Sequence, residues 1–449
     1  MARERGFFWQ RQAEAERLIL KLLADFTSHN GSLALLADRL LHQASTRLLD
    51  WVDHLLLTDS PSGRRQIVEL GFEAEAGDDD KIFCHAGALL PHIVLTDNAF
   101  GAEAGLALQV ECVSDFLQAN GFSAVIEGDP CSGYRRALLG VEKGVALLVV
   151  ERRGSRELEP QVLSDSGLRD YLTALELWQG RPRNSDDEEA AWTETLRIAE
   201  QLAEQLGADR AAHVVCLGEL RYWQSRNFVG RLQKSRQDTL GLGWANHDHH
   251  TFRSSRRNFS RLVALFSMLG FHCRERFYAG EEAGWGAQVM ENPTAGLSLF
   301  LDVDLAPEEV RADFAREDLP EQEELGTIGL WCALHGDSIF EAGPHHLAAR
   351  FDFKRLEKDL AGLGGEFMAP FSNFSYLKQA FSLAERWQPQ SARVEKLAAD
   401  GRISIAHGEK FLALGAVGSH LENIERNEGY KGFNKKNVSA IIQETDPRK

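Results

Sequence analysis

The sequence predicts an α+β fold in which paired βαβββ modules form a cupped sheet, preceded by an N-terminal helical region and a degenerate module. Three observations predict it. Residues 106–151 run strand, helix, strand, strand, strand. The same order returns from Asn246, more clearly patterned. The spacing His-x3-Arg occurs twice, as His249 with Arg253 and His346 with Arg350, each before a helix-like segment ending in Leu-Gly (Leu269-Gly270 and Leu363-Gly364).

Taken in order, residues 9–59 read as a helical pair. Leu18, Leu20, Leu22, Leu23 and Phe26 form one apolar stripe, stopped by His29-Asn30-Gly31. Leu33 to Leu57 continues the pattern through Leu36, Leu40, Leu48, Trp51 and Leu55. The pair would pack on its neighbour or form a homodimer face. Ile82-Phe83 and Ile93-Val94-Leu95 look like short strands. The module proper has strands at 106–110, 123–126, 134–139 and 145–151, with a helix at 113–119 stopped by Asn120-Gly121. Its first strand carries no histidine, which makes it a degenerate, non-metal module. Residues 167–207 are helical again, broken by a linker at 179–187. The stretch 208–240 adds a further helix and a basic cluster, Arg226, Arg231, Lys234 and Arg236, read mainly as a solvated face.

From Asn246 the pattern is a strand at 249–254, a helix at 258–269 and strands at 271–278, 286–291 and 297–303. A second round starts with a strand at 346–352 and a helix at 353–363. The acidic stretch 306–326 is a helical insertion between the two. The chain thus divides into a helical region (1–75), a degenerate βαβββ module (76–160), a helical linker region (161–240) and a metal-binding paired βαβββ domain (241–449).

Composition sets limits. Apolar content is 43% and charged content 26%, which fits a soluble globular chain. The net charge of −17 repels phosphate backbones, so nucleic acid is not an expected partner. Local acidic runs, Asp78-Asp79-Asp80, Asp186 to Glu189 and Glu321 to Glu324, read as solvated loops and helix ends. The six cysteines are scattered with no Cys-x-x-Cys pair, which argues against a thiolate zinc site. The start, Met1-Ala2-Arg3-Glu4-Arg5, has no apolar run behind it. Charges interrupt every apolar stretch before membrane length, so no membrane partner is expected and the compartment is cytoplasmic.

A histidine on the first strand of each module would bring two imidazoles together in the cup. A carboxylate from a late strand would complete a facial set that leaves positions open on a ferrous ion. His247, His249 and His250 compete for the first ligand, His345 and His346 for the second. Strand alternation puts 247 and 249 on one face and 250 on the other. Among carboxylates, Glu409 lies in an apolar, strand-like context, with Glu291, Asp302 and Asp304 as competitors. Arg253 and Arg350 suit a bidentate grip on a carboxylate or, alternatively, salt bridges at the cup rim. His407 and His420 have no assigned role.

The half from 246 to 430 resembles the 2-oxoadipate dioxygenase/decarboxylase (hydroxyglutarate synthase) family of the vicinal oxygen chelate superfamily. Asp248-His249-His250-Thr251-Phe252-Arg253-Ser254 is similar to its Asp-His-x-Ala-x-Arg-Thr stretch. His346-Leu347-Ala348-Ala349-Arg350 is similar to His-Leu-Thr-Pro-Arg, with Ala348-Ala349 in place of Thr-Pro. Leu377-Lys378-Gln379-Ala380-Phe381 and Gly408-Glu409 to Leu414 are similar to Leu-Arg-Gln-Thr-Ser and Gly-Glu-x4-Ala-Leu-Thr, the latter shortened. The resemblance implies His249, His346 and Glu409 as iron ligands, Arg253 on a substrate carboxylate, and Gln379 near the pocket. It implies an Fe(II)-dependent dioxygenase taking a 2-oxo acid and O2 to a shorter 2-hydroxy acid. Ring-cleaving oxygenases, glyoxalase-type enzymes using Zn, Mn or Ni, and a non-catalytic binding protein share the fold. The resemblance covers under half the chain.

Overall fold

A computed structural model describes residues 9–75, 81–185, 187–434, 441 and 444–449. Asp78, Asp79, Asp80, Asp186 and the first five residues lie outside the described residues.

The chain opens with α1 (Ala13–His29) and α2 (Gly31–Ala44), whose junction is fixed by Asn30 accepting from the Leu33 amide. The helix does not run on to Leu57. Ser45 turns left-handed at φ 56°, a short 3-10 turn follows, and β1 (Val52–Thr58) begins. The apolar run 48–57 had read as helix because leucine fits either period when the run is short. Ser60 then caps α3 (Pro61–Glu69), with proline at its first position. Next come β2 (Glu73–Ala74), β3 (Ile82–Cys84), β4 (His92–Thr96), β5 (Ala104–Gln109), α4 (Val113–Asn120), β6 (Ile126–Glu127), β7 (Tyr134–Glu142) and β8 (Val145–Arg152).

These strands form one eight-stranded sheet, ordered β2-β3-β4-β1-β5-β8-β7-β6. It contains two βαβββ modules, one starting at β1 and one at β5. The sequence had shown only the second, because β2 and β3 are two and three residues long.

Four helices follow: α5 (Gly167–Gln179), α6 (Glu188–Leu206), α7 (Ala208–Ser225) and α8 (Phe228–Asp238). Of the basic cluster, Lys234 pairs with Asp238 and Arg236 with Asp359, while Arg226 donates to the Glu341 and Ala342 carbonyls. The second sheet is built from β9 (His247–Arg253), α9 (Phe259–Met268), β10 (His272–Tyr278), β11 (Trp285–Asn292), β12 (Leu297–Asp304), α10 (Thr327–His335), β13 (His346–Arg350), α11 (Phe353–Ala361), β14 (Ser372–Asn373) and β15 (Leu377–Phe381). An insertion of β16 (Arg386–Trp387), α12 (Ser391–Ala399), α13 (Ile405–Leu414) and β17 (Ala416–Val417) precedes β18 (His420–Arg426). The order, β10-β11-β12-β9-β13-β18-β15-β14, repeats that of the first sheet position for position. The fold is therefore two successive sheets of paired βαβββ modules, the vicinal oxygen chelate arrangement. The acidic stretch 306–326 is not a helix: only Pro307–Arg311 forms a short 3-10 turn. It has charge without an apolar repeat to bury.

Each sheet is covered on its outer face by helices. Ile19, Phe26, Leu33 and Leu40 of α1 and α2 pack on Leu55, Leu106 and Leu147. Trp178, Trp192, Ile198 and Val215 of α5–α7 pack with α9 onto Phe252, Leu299 and Leu301. The N-terminal helices thus form an outer layer and do not cap the cup. The inner face of the first sheet carries Leu56, Ala107, Ala146, Leu148 and Val150. Of the metal-centre positions only one keeps its histidine there: buried His54 stands where His249 does, while Gly105 and Leu148 stand where His346 and Glu422 do.

Candidate metal centre

β9 and β13 are antiparallel neighbours at the centre of the second sheet, with Thr251 opposite His346 and Ala348 opposite His249. This pairing sets the two histidines almost side by side. β18 runs parallel to β13, with Glu422 beside Ala348. Side chains two apart on a strand share a face, so His346 and Glu422 both enter the cup. Nε2 of His249 lies 3.4 Å from Oε2 of Glu422, and Nε2 of His346 lies 3.0 Å from the same oxygen. Ligating atoms of these three residues all fall within 4.8 Å of one another, and all three residues are buried.

The predicted carboxylate does not take part. Glu409 is exposed on α13, a helix capped by Ser404 and stopped at Gly415. Its apolar neighbours belong to a helical face, whereas they had read as a strand. The carboxylate the structure brings to the histidines is Glu422, which is only 1% exposed. The alternation in Leu421-Glu422-Asn423-Ile424 placed it on a late strand, and that signal could have found it. Of the other candidates, Asp304 accepts from the Ile328 and Gly329 amides at the start of α10, and Glu291 pairs with Lys431 and Arg274.

Strand alternation also fails at one place. The register of β9 shifts between His247 and His249. His247 therefore falls in with His250, their rings 5.5 Å apart, and away from His249. The same bulge lets Asp248 reach back to its neighbour: Nδ1 of His249 donates to Asp248 Oδ1 at 2.8 Å. Asp248 is in turn gripped by Arg426 through Nε at 2.7 Å and Nη2 at 2.9 Å. With Nδ1 held by Asp248, Nε2 is the nitrogen of His249 turned to Glu422, and it can offer its lone pair to a metal once its proton is displaced. His346 is oriented in a similar way, its Nδ1 3.0 Å from Nδ1 of His345. Gln379, on β15, donates to Glu422 Oε1 at 2.7 Å and leaves Oε2 free for the histidines. Asp248→Asn is expected to weaken metal binding by about 10–100-fold, because the carboxamide cannot hold the tautomer as firmly. An anaerobic Fe(II) titration checks this, and unchanged affinity would remove Asp248 from the account.

Electrostatics agree with the geometry. Burial alone would lower His249, but Glu422 and Asp248 lift it to about 9. Burial would raise Glu422, yet His249 and His346 hold it well below the usual carboxylate range. His346 is pushed down by burial despite Glu422. A buried carboxylate held ionised between two imidazoles, with no thiolate nearby, is a donor set suited to a first-row divalent metal. The three donor atoms lie close enough together to serve as a facial triad.

The same cavity, about 70 Å3, is walled by Phe277, Trp285, Phe300, Phe371, Phe381 and Phe433. Arg253 opens into it from the end of β9. Its Nε lies a loose 3.8 Å from Asp302 Oδ2, and neither Nε nor Nη1 has a hydrogen-bond partner. Asp302 itself is pushed up to about 7 by burial, against the pull of Arg253. Arg350, the other predicted substrate arginine, does not line this cavity. It faces the space between the two sheets. His420 is buried against Phe381 and bonded through Nδ1 to the Ser382 carbonyl at 2.8 Å. No helix among the described residues is long and apolar enough to cross a membrane.

No protein-family model matches the sequence, and no curated protein matches it. Among solved structures, a variant of 4-hydroxymandelate synthase from Streptomyces coelicolor aligns over 75% of this chain and 96% of its own, at 13% identity and a TM-score of 0.29. Methylmalonyl-CoA epimerase from Mycobacterium tuberculosis aligns over 40% of this chain and 88% of its own, at 13% identity and 0.24. The epimerase from Streptomyces coelicolor aligns over 40% and 96%, at 16% identity and 0.21. Likenesses this distant say nothing of activity, and the chain's own topology and side chains carry the reading of the site.

Proposed function

We propose that the protein is an Fe(II)-dependent oxygenase that converts a 2-oxo acid and O2 to a 2-hydroxy acid one carbon shorter and CO2, with His249, His346 and Glu422 as the metal ligands. One observation carries the reading: two Nε2 atoms and one carboxylate oxygen converge in a cavity that Arg253 also lines, with two of its guanidinium nitrogens unpartnered. A bound ferrous ion would supply O2 activation and a chelation point for the keto acid.

The rest falls to the chain. Arg253 binds a substrate carboxylate, and its partial neutralisation by Asp302 keeps the guanidinium available. A fork held in place loses little freedom on binding, which favours a planar carboxylate over a point anion. Asp248 and Gln379 fix the ligands from behind, so the site is formed before substrate arrives. Six aromatic rings keep water from the reacting atoms. The small cavity favours a short side chain.

Arg253→Gln is expected to raise KM for the 2-oxo acid by roughly 10–100-fold, the loss of one or two charge-assisted hydrogen bonds, and to leave metal affinity unchanged. Steady-state kinetics beside an Fe(II) titration read both. An unchanged KM would show that the acid is anchored elsewhere. Catechols in the same oxygen-uptake assay test the ring-cleaving alternative, which requires no carboxylate anchor.

A further inference from the structure

A second cavity system lies between the two sheets, beyond the end of β13. Its two lobes enclose about 220 Å3 and about 460 Å3. Arg350, Arg426, Arg156, His92 and His247 line both. Phe433 is shared between the larger lobe and the metal cavity, so the two sites are separated by one ring.

Most of the charges here are matched. Arg47 pairs with Asp50 at 2.6 Å, Arg152 with Asp53 at 2.6 Å, Arg156 with Glu75 at 2.8 Å and Arg426 with Asp248 at 2.7 Å. Glu16 accepts from the Gly429 amide at 2.7 Å. Arg350 is the exception. No carboxylate lies within ion-pair distance of it among the described residues, and its Nε is buried without a hydrogen-bond partner. Its backbone is fixed to Asn246 by two hydrogen bonds, 3.0 Å and 2.8 Å, so the side chain cannot leave with the strand. Asp50 and Asp248 act on it only from a distance, each already paired with another arginine, and a buried cation with no partner of its own lowers stability unless a ligand supplies one.

A second unpartnered atom belongs to another residue that lines this space. Nε2 of His247 is buried with nothing bonded to it. Nδ1 of that ring lies 3.3 Å from the Trp244 carbonyl oxygen, which can only accept. The ring therefore donates from Nδ1 and keeps an unused lone pair on Nε2. His247 stands opposite Ala349 in the ladder, next to Arg350 in space.

A guanidinium requires an anion, and an imidazole lone pair requires a donor. We propose that this cavity is a second ligand site, distinct from the metal cavity, for a small organic carboxylate that also carries a hydroxyl group. Arg350 takes the carboxylate, and His247 accepts from the hydroxyl.

The test is calorimetric titration of the metal-free, full-length protein with malate, succinate and inorganic phosphate. Malate is expected to bind wild type and Arg253→Gln alike, and to bind Arg350→Gln about tenfold more weakly or worse. Succinate, which lacks the hydroxyl, is expected to bind roughly fivefold more weakly than malate. Without ligand, Arg350→Gln is expected to melt no lower than wild type, because it removes an unmatched cation. Absence of malate binding overturns the proposal, as does binding lost in Arg253→Gln but kept in Arg350→Gln, which would place malate in the metal cavity. Succinate or phosphate binding as tightly as malate overturns the hydroxy-acid assignment. A lowered melting temperature for ligand-free Arg350→Gln also overturns it, by marking the arginine as a structural cation.

Discussion

Glu422→Gln is expected to abolish stoichiometric metal binding, while Glu409→Gln leaves it unchanged. Both substitutions keep the side chain's size and remove its charge. At position 422 that charge sits beside two imidazole nitrogens, at 3.4 Å and 3.0 Å, in a site almost closed to solvent. An amide there offers a neutral oxygen to a dication, and Gln379 can still hold it. The loss should exceed the roughly 10–100-fold that follows removal of an outer partner of a metal ligand. At position 409 the carboxylate faces water on α13, and its removal changes only a surface charge. An anaerobic Fe(II) titration of the two variants beside wild type decides. Loss of binding in Glu409→Gln with retention in Glu422→Gln would reverse the assignment.

The largest expected effect on stability lies outside the site. Glu219 on α7 is 0% exposed and accepts from Trp178 Nε1 at 2.8 Å, from Arg181 at 2.7 Å and from Arg183 at 2.8 Å and 3.0 Å. The two arginines also donate to the carbonyls of Ile339 and Phe340, at 2.7 Å and 3.0 Å. That cluster ties the helical layer to the segment leading into β13 and so to His346. Glu219→Ala leaves two cations without a counter-charge, one of them fully buried, and is expected to cost about 3–5 kcal/mol. Burial would raise the Glu219 pKa, but Arg181 and Arg183 hold it below its ordinary value. Its contribution is therefore complete above the ordinary glutamate range, near pH ~4.3, and is lost as the pH falls through the lowered folded value. Denaturant unfolding at neutral pH and in acid reads both, and the variant's acid limb should be shallower. A change under about 1 kcal/mol would show that the arginines find other partners.

The first module of the second sheet and the opening strand and helix of its second module were legible because these elements are long enough for their periods to separate, whereas β14, β15 and β18 went unread. The first sheet was half hidden. Its opening module has strands of two and three residues, and Leu48 to Leu57 supports either period. The site was legible where it depended on a repeat: His249 and His346 occupy like places in two like modules, and the structure brings them together. It was not legible where it depended on tertiary placement. Glu422 follows an insertion of two helices after β15, so the alternation around it marks a strand but does not say that this strand pairs with β13. Glu409 attracted notice through apolar neighbours that turn out to line a helix. The bulge at Asp248, which sends His247 to the opposite side from His249, is a property of pairing between strands and leaves no mark in one strand's sequence.

Oxygen uptake by Fe(II)-loaded protein across a panel of 2-oxo acids tests the central claim most directly. The account predicts uptake that depends on a small 2-oxo acid, with one CO2 released per O2 consumed and a 2-hydroxy acid one carbon shorter as product, all lost in His249→Ala. Metal-loaded protein that consumes no O2 with any 2-oxo acid, or that consumes it equally well as His249→Ala, would contradict it.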